Sequence, residues 1–176
     1  MHITGFAADL CVVKHDPGPG HPEQPARYSS IFNHLESSGL LHDLARLESR
    51  LATDEELALV HTRDYIALVE REVAHDYPAL STGDTPINRY SAEAARAAVG
   101  MALCAADAVF GAEVLNAFCL TRPPGHHAGS ATGMGFCLFN TVAVTARYAQ
   151  QHYGAERVLM ENLDPTIRRF ENLQIE

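Results

Sequence analysis

The most restrictive feature of the chain is a pair of short, nearly continuous apolar runs on either side of a helical segment. The runs are VLNAFCL at residues 114–120 and RVLM at residues 157–160, and the helical segment is TVAVTARYAQQHYG. Strands that are apolar on both faces are typical of parallel sheets covered on both sides by helices. A strand, a loop, a helix and a second strand form a β-α-β unit, which predicts a parallel sheet in an α/β domain.

Further elements can be placed from local signals. The run ITGFAA predicts an opening strand, ARLESR a short extended piece, and the apolar periodicity of residues 27–40 a helix. The capping box TDEE at Thr53 predicts the start of a second helix, because Thr53 can cap Glu56 and Glu56 can reach back. Thr62 is expected to cap the next helix, and Ser91 to open a long alanine-rich helix that ends at Gly111.

Composition limits the classes of function. A chain of 176 residues with 47% hydrophobic residues predicts one globular domain. The net charge of −9 argues against a direct nucleic-acid partner and suits a cationic one. The four cysteines show no C-x-x-C spacing, which favours free thiols. The amino terminus does not resemble a signal peptide and no apolar run reaches 18 residues, so we expect a cytoplasmic chain without membrane contact.

The segment RPPGHHAGSATGMGFCLFN follows the first predicted strand of the β-α-β unit, at the end of a parallel sheet where ligands usually bind. Its histidines, His126 and His127, are held between a Pro-Pro-Gly bend and a second glycine-rich loop. Two neighbouring imidazoles can serve as general base and general acid, because like charges in one site separate their pKa values. Surface residues of a tight turn and metal ligands are the alternative interpretations.

Five segments, in order, carry a resemblance to a known family. They are HDPGPGHPEQPAR, VHTRDYI, GDTP, NAFCLTRPPGHHA and MGFCLFNTVAVTARYAQ. This series resembles the zinc-dependent histone deacetylase superfamily, including its acetylpolyamine amidohydrolase members, from Thr4 to about Leu159. The resemblance implies a three-layer α/β fold of the arginase/deacetylase type with a parallel sheet, truncated in this chain. Residues 1–160 would be a partial deacetylase-like domain, and residues 161–176 a divergent tail with a short helix.

The resemblance also implies roles for individual residues. His126 and His127 would be the catalytic pair, acting as base and as acid or electrostatic catalyst. Gly135 and Phe136 would form the wall of a tunnel that grips an acylated lysine or amine. An aromatic ring suits the flat amide and its alkyl stem.

Two charged residues complete the implied substrate site. Asp84 would accept hydrogen bonds from a substrate at the rim, and Arg27 would lie in an internal pocket near the leaving acetate. Each has an alternative, Asp84 as a turn residue and Arg27 as an exposed helix start. For Phe136 the alternative is a core side chain. His61 is interpreted as a structural histidine, and His21 and Glu23 as residues that shape their loop.

The end of the chain departs from the family pattern. The strand that RVLM resembles runs in the family into Asp-x-Asp-x-His-His-Gly, with two zinc ligands and an orienting carboxylate, whereas this chain reads ENLDPTIRR. Asn162 and Thr166 replace two of the three residues, and Asp164 is left as the one candidate metal ligand. Asp164 followed by Pro165 is equally a helix N-cap. Zinc is therefore expected from the family but absent or weakly bound in this chain.

The resemblance implies hydrolysis of N-acetyl amides by zinc-activated water, with an acetylated lysine peptide or an acetylpolyamine as substrate. We expect this chain itself to be inactive, because zinc ligands and the later half of the family's domain are missing. The alternative is a non-catalytic protein that binds an acyl-amine or another protein. An uncovered strand edge, or a terminal helix face with Ile167 and Phe170, further predicts self-association.

Overall fold

The structure is a computed structural model that describes residues 3–161. Its sheet has three parallel strands, β1 (Thr4–Ala8), β2 (Leu44–Arg46) and β3 (Asn116–Leu120), in the order β2-β1-β3. In the register, Gly5 faces Ala45 of β2 and Phe6 faces Phe118 of β3. The predicted α/β class with a parallel sheet is confirmed.

The α-helices of the described residues are α1 (Pro25–Ser37), α2 (Asp54–Leu57), α3 (Arg63–Ala74), α4 (Ser91–Phe110) and α5 (Thr141–Tyr153). Most begin where the local signals predicted. Thr53 forms the complete capping box with Glu56, and the Thr62 side chain accepts the backbone N–H of Tyr65. Short 3-10 helices follow β1 at Leu10–Lys14 and α1 at Leu40–Asp43.

The prediction of a strand at residues 157–160 is wrong. These residues form no strand, and they line an open cleft of about 680 Å³ together with parts of α4, α5 and β3. Within the part of the chain that the structure describes, β3 is paired on one side only, by β1. Residues 157–159 are exposed and Met160 is half-buried, so the apolar side chains of this run are not covered by a sheet.

The long helix α4 joins the two parts of the core. On one side Met101 and Ala97 pack with Phe6 of β1, and on the other Val99 and Leu103 belong to a cluster with α2, α3 and α5. The many small residues of α4 permit this close approach to the sheet. No helix among residues 3–161 is long and apolar enough to cross a membrane.

A buried ion pair connects the loops that leave β1 and β3. Arg122 Nε and Nη2 donate to the two carboxylate oxygens of Glu23 at 2.9 and 2.8 Å, and Nη1 donates to the carbonyls of Val12 and His15, both at 2.7 Å. Arg122 is 3% exposed and Glu23 is 2% exposed. Both charges are thus compensated by several hydrogen bonds, which is the condition for burying them.

The ion pair also determines the protonation of Glu23. Burial alone would raise the pKa of this carboxyl, but hydrogen bonds from His15 and Arg122, together with the Arg122 charge, outweigh burial and lower the pKa from 4.5 to about 2. Because the folded pKa is lower than the unfolded one, the stabilisation by Glu23 is fully present above about pH 4.5 and is lost as the pH falls toward 2.

We therefore predict that Glu23→Gln lowers the free energy of unfolding at pH 7 by about 3–5 kcal/mol, because the Arg122 charge stays buried without its partner. The variant should also lose part of the decline in stability that the wild type shows below pH 4.5. Urea unfolding at several pH values measures both effects, with the exposed Glu36→Gln on α1 as the matched control. Equal pH slopes for the wild type and Glu23→Gln would contradict the assignment.

Candidate functional site

Two loops meet at the carboxyl edge of the sheet. Residues 9–24 follow β1, residues 121–140 follow β3, and the Arg122–Glu23 ion pair holds the two loops together. In open parallel sheets, ligands bind beyond the carboxyl ends of the strands, between loops of neighbouring strands. The site predicted from the histidine pair lies at this edge.

The imidazoles of His126 and His127 are in contact. Their ring centroids are 4.0 Å apart and the ring planes are inclined by 54°. The pKa of His126 is lowered, first by partial burial of its imidazole and second by the proximity of His127. His126 is therefore neutral at neutral pH and available as a proton acceptor, beside a second imidazole that can exchange protons.

A tight turn lies against His127. The backbone groups of Met134 and Cys137 are hydrogen-bonded to each other, and the two residues between them have positive φ, 57° at Gly135 and 66° at Phe136. Positive φ at both central residues is the pattern of a type I′ turn. A Cβ at Gly135 would come within 2.6 Å of Cδ2 of His127, so glycine is required both by the backbone and by the neighbouring ring.

Asp84 holds this turn from a third loop. Its Oδ1 accepts the backbone N–H of Gly135 at 2.8 Å, and the Asp84 side chain remains accessible to solvent. The structure thus brings together Asp84, His127, Gly135 and Phe136, with His126 next to His127. These are five of the residues that the family resemblance implied.

Two predicted site residues are not part of this cluster. Arg27 lies on the exposed side of α1, so its side chain is not in an internal pocket. Arg27 instead fits its alternative interpretation, an exposed residue at the start of a helix. Asp164 lies outside the described residues.

Sequence reasoning missed the buried guanidinium, which is Arg122, and its partner Glu23. A signal was present: Arg122 stands two residues after β3 and directly before two prolines, whose rings restrict the backbone of the loop. The predicted structural histidine is confirmed, since His61 is 3% exposed and its Nε2 accepts the backbone N–H of Asn140 at 2.9 Å.

The residues near the histidine pair do not by themselves fit a zinc site. Among residues 3–161, no group of three or more His, Cys, Asp or Glu side chains could hold a metal ion. Protein zinc sites use about three protein ligands when catalytic and four when structural. What the cluster can do without further groups is exchange protons through its imidazoles, accept a hydrogen bond at Asp84 and offer an aromatic surface at Phe136.

The molecule is thus an α/β protein with paired imidazoles at the carboxyl edge of a parallel sheet, an arrangement suited to acid–base chemistry. The family model described as Histone deacetylase domain matches residues 21–164. The chain belongs to the histone deacetylase family.

Individual relatives agree with this assignment. The chain is 35% identical over 188 residues to Histone deacetylase 9 of Homo sapiens, covering 92% of this chain and 19% of the relative. It is 39% identical over 150 residues to Polyamine deacetylase HDAC10 of Rattus norvegicus, covering 81% of this chain and 25% of the relative. The chain therefore spans about a quarter or less of the length of these curated relatives.

A solved structure supports the fold. The crystal structure of the HDA15 HD domain superposes with a TM-score of 0.82 at 35% sequence identity, over 89% of this chain and 46% of that chain. The predicted deacetylase-like fold class is confirmed by this likeness.

We predict that Gly135→Ala displaces the His127 ring and lowers the free energy of unfolding by about 1–3 kcal/mol, because it adds backbone strain and a clash. The matched control is Gly39→Ala. Gly39 has φ of 78°, and nothing lies within 4 Å of an added Cβ, so this variant has the backbone cost without the contact. Imidazole NMR signals of His127 should shift in Gly135→Ala only. An unchanged His127 spectrum would contradict the proposed contact.

Proposed function

We propose that the chain carries the acid–base and acyl-amine-binding part of an N-acetyl amide hydrolase site. The observation that carries the proposal is the contact of His126 with His127, with ring centroids 4.0 Å apart, directly against the turn that presents Phe136. Amide hydrolysis needs one group that takes a proton from attacking water and one that gives a proton to the leaving amine.

Each residue of the cluster would have one task. The neutral His126 would accept the proton of the water, and His127 would protonate the amine nitrogen or stabilise the developing charge. The half-buried ring of Phe136 would lie against the acyl-amine stem, and Asp84 would accept a hydrogen bond from a substrate N–H. Arg27 has no part in this scheme, because it is exposed on α1.

Zinc would supply a polarised, acidified water if it were bound. Residues 3–161 do not gather a ligand set for it. Ligands beyond these residues would be needed to complete a zinc site.

The substrate class follows from the relatives and from charge. One relative is a polyamine deacetylase by name, and others are histone deacetylases. Acetylpolyamines and acetylated lysine peptides share a flat acetamide on an alkyl stem and carry cationic groups further along the molecule. A chain with a net charge of −9 favours both on electrostatic grounds.

A second candidate function is binding of an acyl-amine without turnover. It is favoured by the same lack of a metal ligand set among the described residues. The two candidates share the Phe136 surface and differ in whether the histidines complete a chemical step.

We predict that N-acetyl-lysine amide shifts the backbone NMR signals of residues 126, 127 and 136, and that lysine amide, which lacks the acetyl group, does not. Phe136→Ala should weaken binding by about five- to tenfold or more, since it removes a buried aromatic contact with the ligand. Phe110→Ala, an exposed aromatic on α4, is the control. Failure of the acetylated ligand to shift any of these signals would reject both candidate functions.

Metal content and turnover then separate the two candidates. We expect the 176-residue chain by itself to retain well under one zinc per chain after zinc loading, and to leave an acetyl-lysine peptide intact. Elemental analysis and a mass-spectrometric deacetylation assay measure these quantities. Stoichiometric zinc, together with turnover that is lost in His126→Ala, would overturn this expectation and favour the hydrolase.

A further inference from the structure

Phe136 has a backbone conformation that its own residue type disfavours. Its φ of 66° lies in the left-handed region, where a side chain with a Cβ is strained by about 1–2 kcal/mol. Such a conformation persists only when its surroundings hold it. The Asp84 hydrogen bond and the His127 contact hold Gly135, so they act on the backbone of the turn rather than on the Phe136 ring.

The ring of Phe136 has its own neighbour in the loop that follows β1. The imidazole of His21 meets it edge-to-face, with centroids 4.4 Å apart and planes inclined by 76°. This geometry is a favourable one for aromatic pairs, because the edge of one ring is directed at the electron-rich face of the other. His21 is half-buried, so the contact lies at the border between the site and solvent.

His21 is itself fixed in place. Its Nδ1 lies 2.9 Å from the carbonyl oxygen of Glu23 and 3.1 Å from the Glu23 backbone nitrogen. The Glu23 side chain is anchored in turn by the buried Arg122, at the base of the histidine loop. A rigid path therefore connects the base of one loop to the aromatic ring presented by the other.

We propose that His21 is a positioning residue of the site: its ring holds the Phe136 side chain in the orientation that faces an acyl-amine. This inference rests on the proposed function for its substrate, and on the observed ring contact for its mechanism. His21 was interpreted from the sequence only as a residue that shapes its own loop. Its contact with Phe136, which lies 115 positions further along the chain, extends its role to the loop that follows β3.

The test compares three variants. His21→Ala removes the ring, His21→Phe keeps an edge-to-face aromatic partner but loses the Nδ1 contacts, and His34→Ala on the exposed side of α1 is the control. The first measurement is amide hydrogen exchange at Gly135 and Phe136. We expect His21→Ala to accelerate this exchange about three- to tenfold, the size expected for loss of one aromatic pair. His21→Phe should stay within about twofold of the wild type, and exchange at Val99 in the core should be unchanged in all variants.

The second measurement is the dissociation constant of N-acetyl-lysine amide. His21→Ala should weaken binding by about three- to tenfold, and His21→Phe should retain most of it. Unchanged exchange at Gly135 and Phe136 in His21→Ala would overturn the positioning role, whatever happens to binding. Faster exchange with unchanged binding would overturn the link between His21 and ligand binding. If the wild type binds no acetylated ligand, the proposed function fails, while the exchange experiment still decides whether His21 holds Phe136.

Discussion

The geometry of the site depends on the buried Arg122–Glu23 ion pair. A guanidinium and a carboxylate that are almost completely removed from water stabilise a fold only when their hydrogen-bonding capacity is met inside it. Arg122 meets this condition with both oxygens of Glu23 and two backbone carbonyls of the loop after β1. Since His126 is only four residues from Arg122, and His21 only two from Glu23, the ion pair fixes both loops of the site within four residues of their functional side chains.

Local chemistry explains which parts of the fold could be predicted. The starts of α2 and α3 follow from Thr53 and Thr62, whose side chains cap backbone groups three residues away. The strand β3 was recognisable because it is short and apolar, and its parallel pairing follows from the fold class. The run at residues 157–160 looked equivalent but forms no strand, because pairing depends on the backbone edge that a run meets. The sequence of four residues does not indicate which strand edge they meet in the fold.

The candidate site shows the same division. The order of the motifs predicted that Asp84, His127 and Phe136 lie near one another, and the structure brings them together. The contacts that bring them together could not be predicted from the sequence. They are the hydrogen bond of the Gly135 backbone N–H to Asp84 and the close approach of His127 to Gly135, which has no Cβ. The error at Arg27 is related. Two arginines flank loops of the site, and which one is buried depends on a carboxylate that lies 99 positions from Arg122 in the sequence.

Contacts from three loops stabilise the strained turn at Gly135 and Phe136. Two successive residues with positive φ are unfavourable for any chain that carries a side chain at the second position. Asp84 accepts the backbone N–H of Gly135, and the ring of His127 packs against Gly135. His21 meets this turn at the ring of Phe136. Loss of the His21 contact should therefore free the Phe136 ring and let the turn open more often, because the strained conformation at Phe136 loses one of its supports. Loss of the Asp84 contact should act more directly, because it removes the hydrogen bond of the Gly135 N–H.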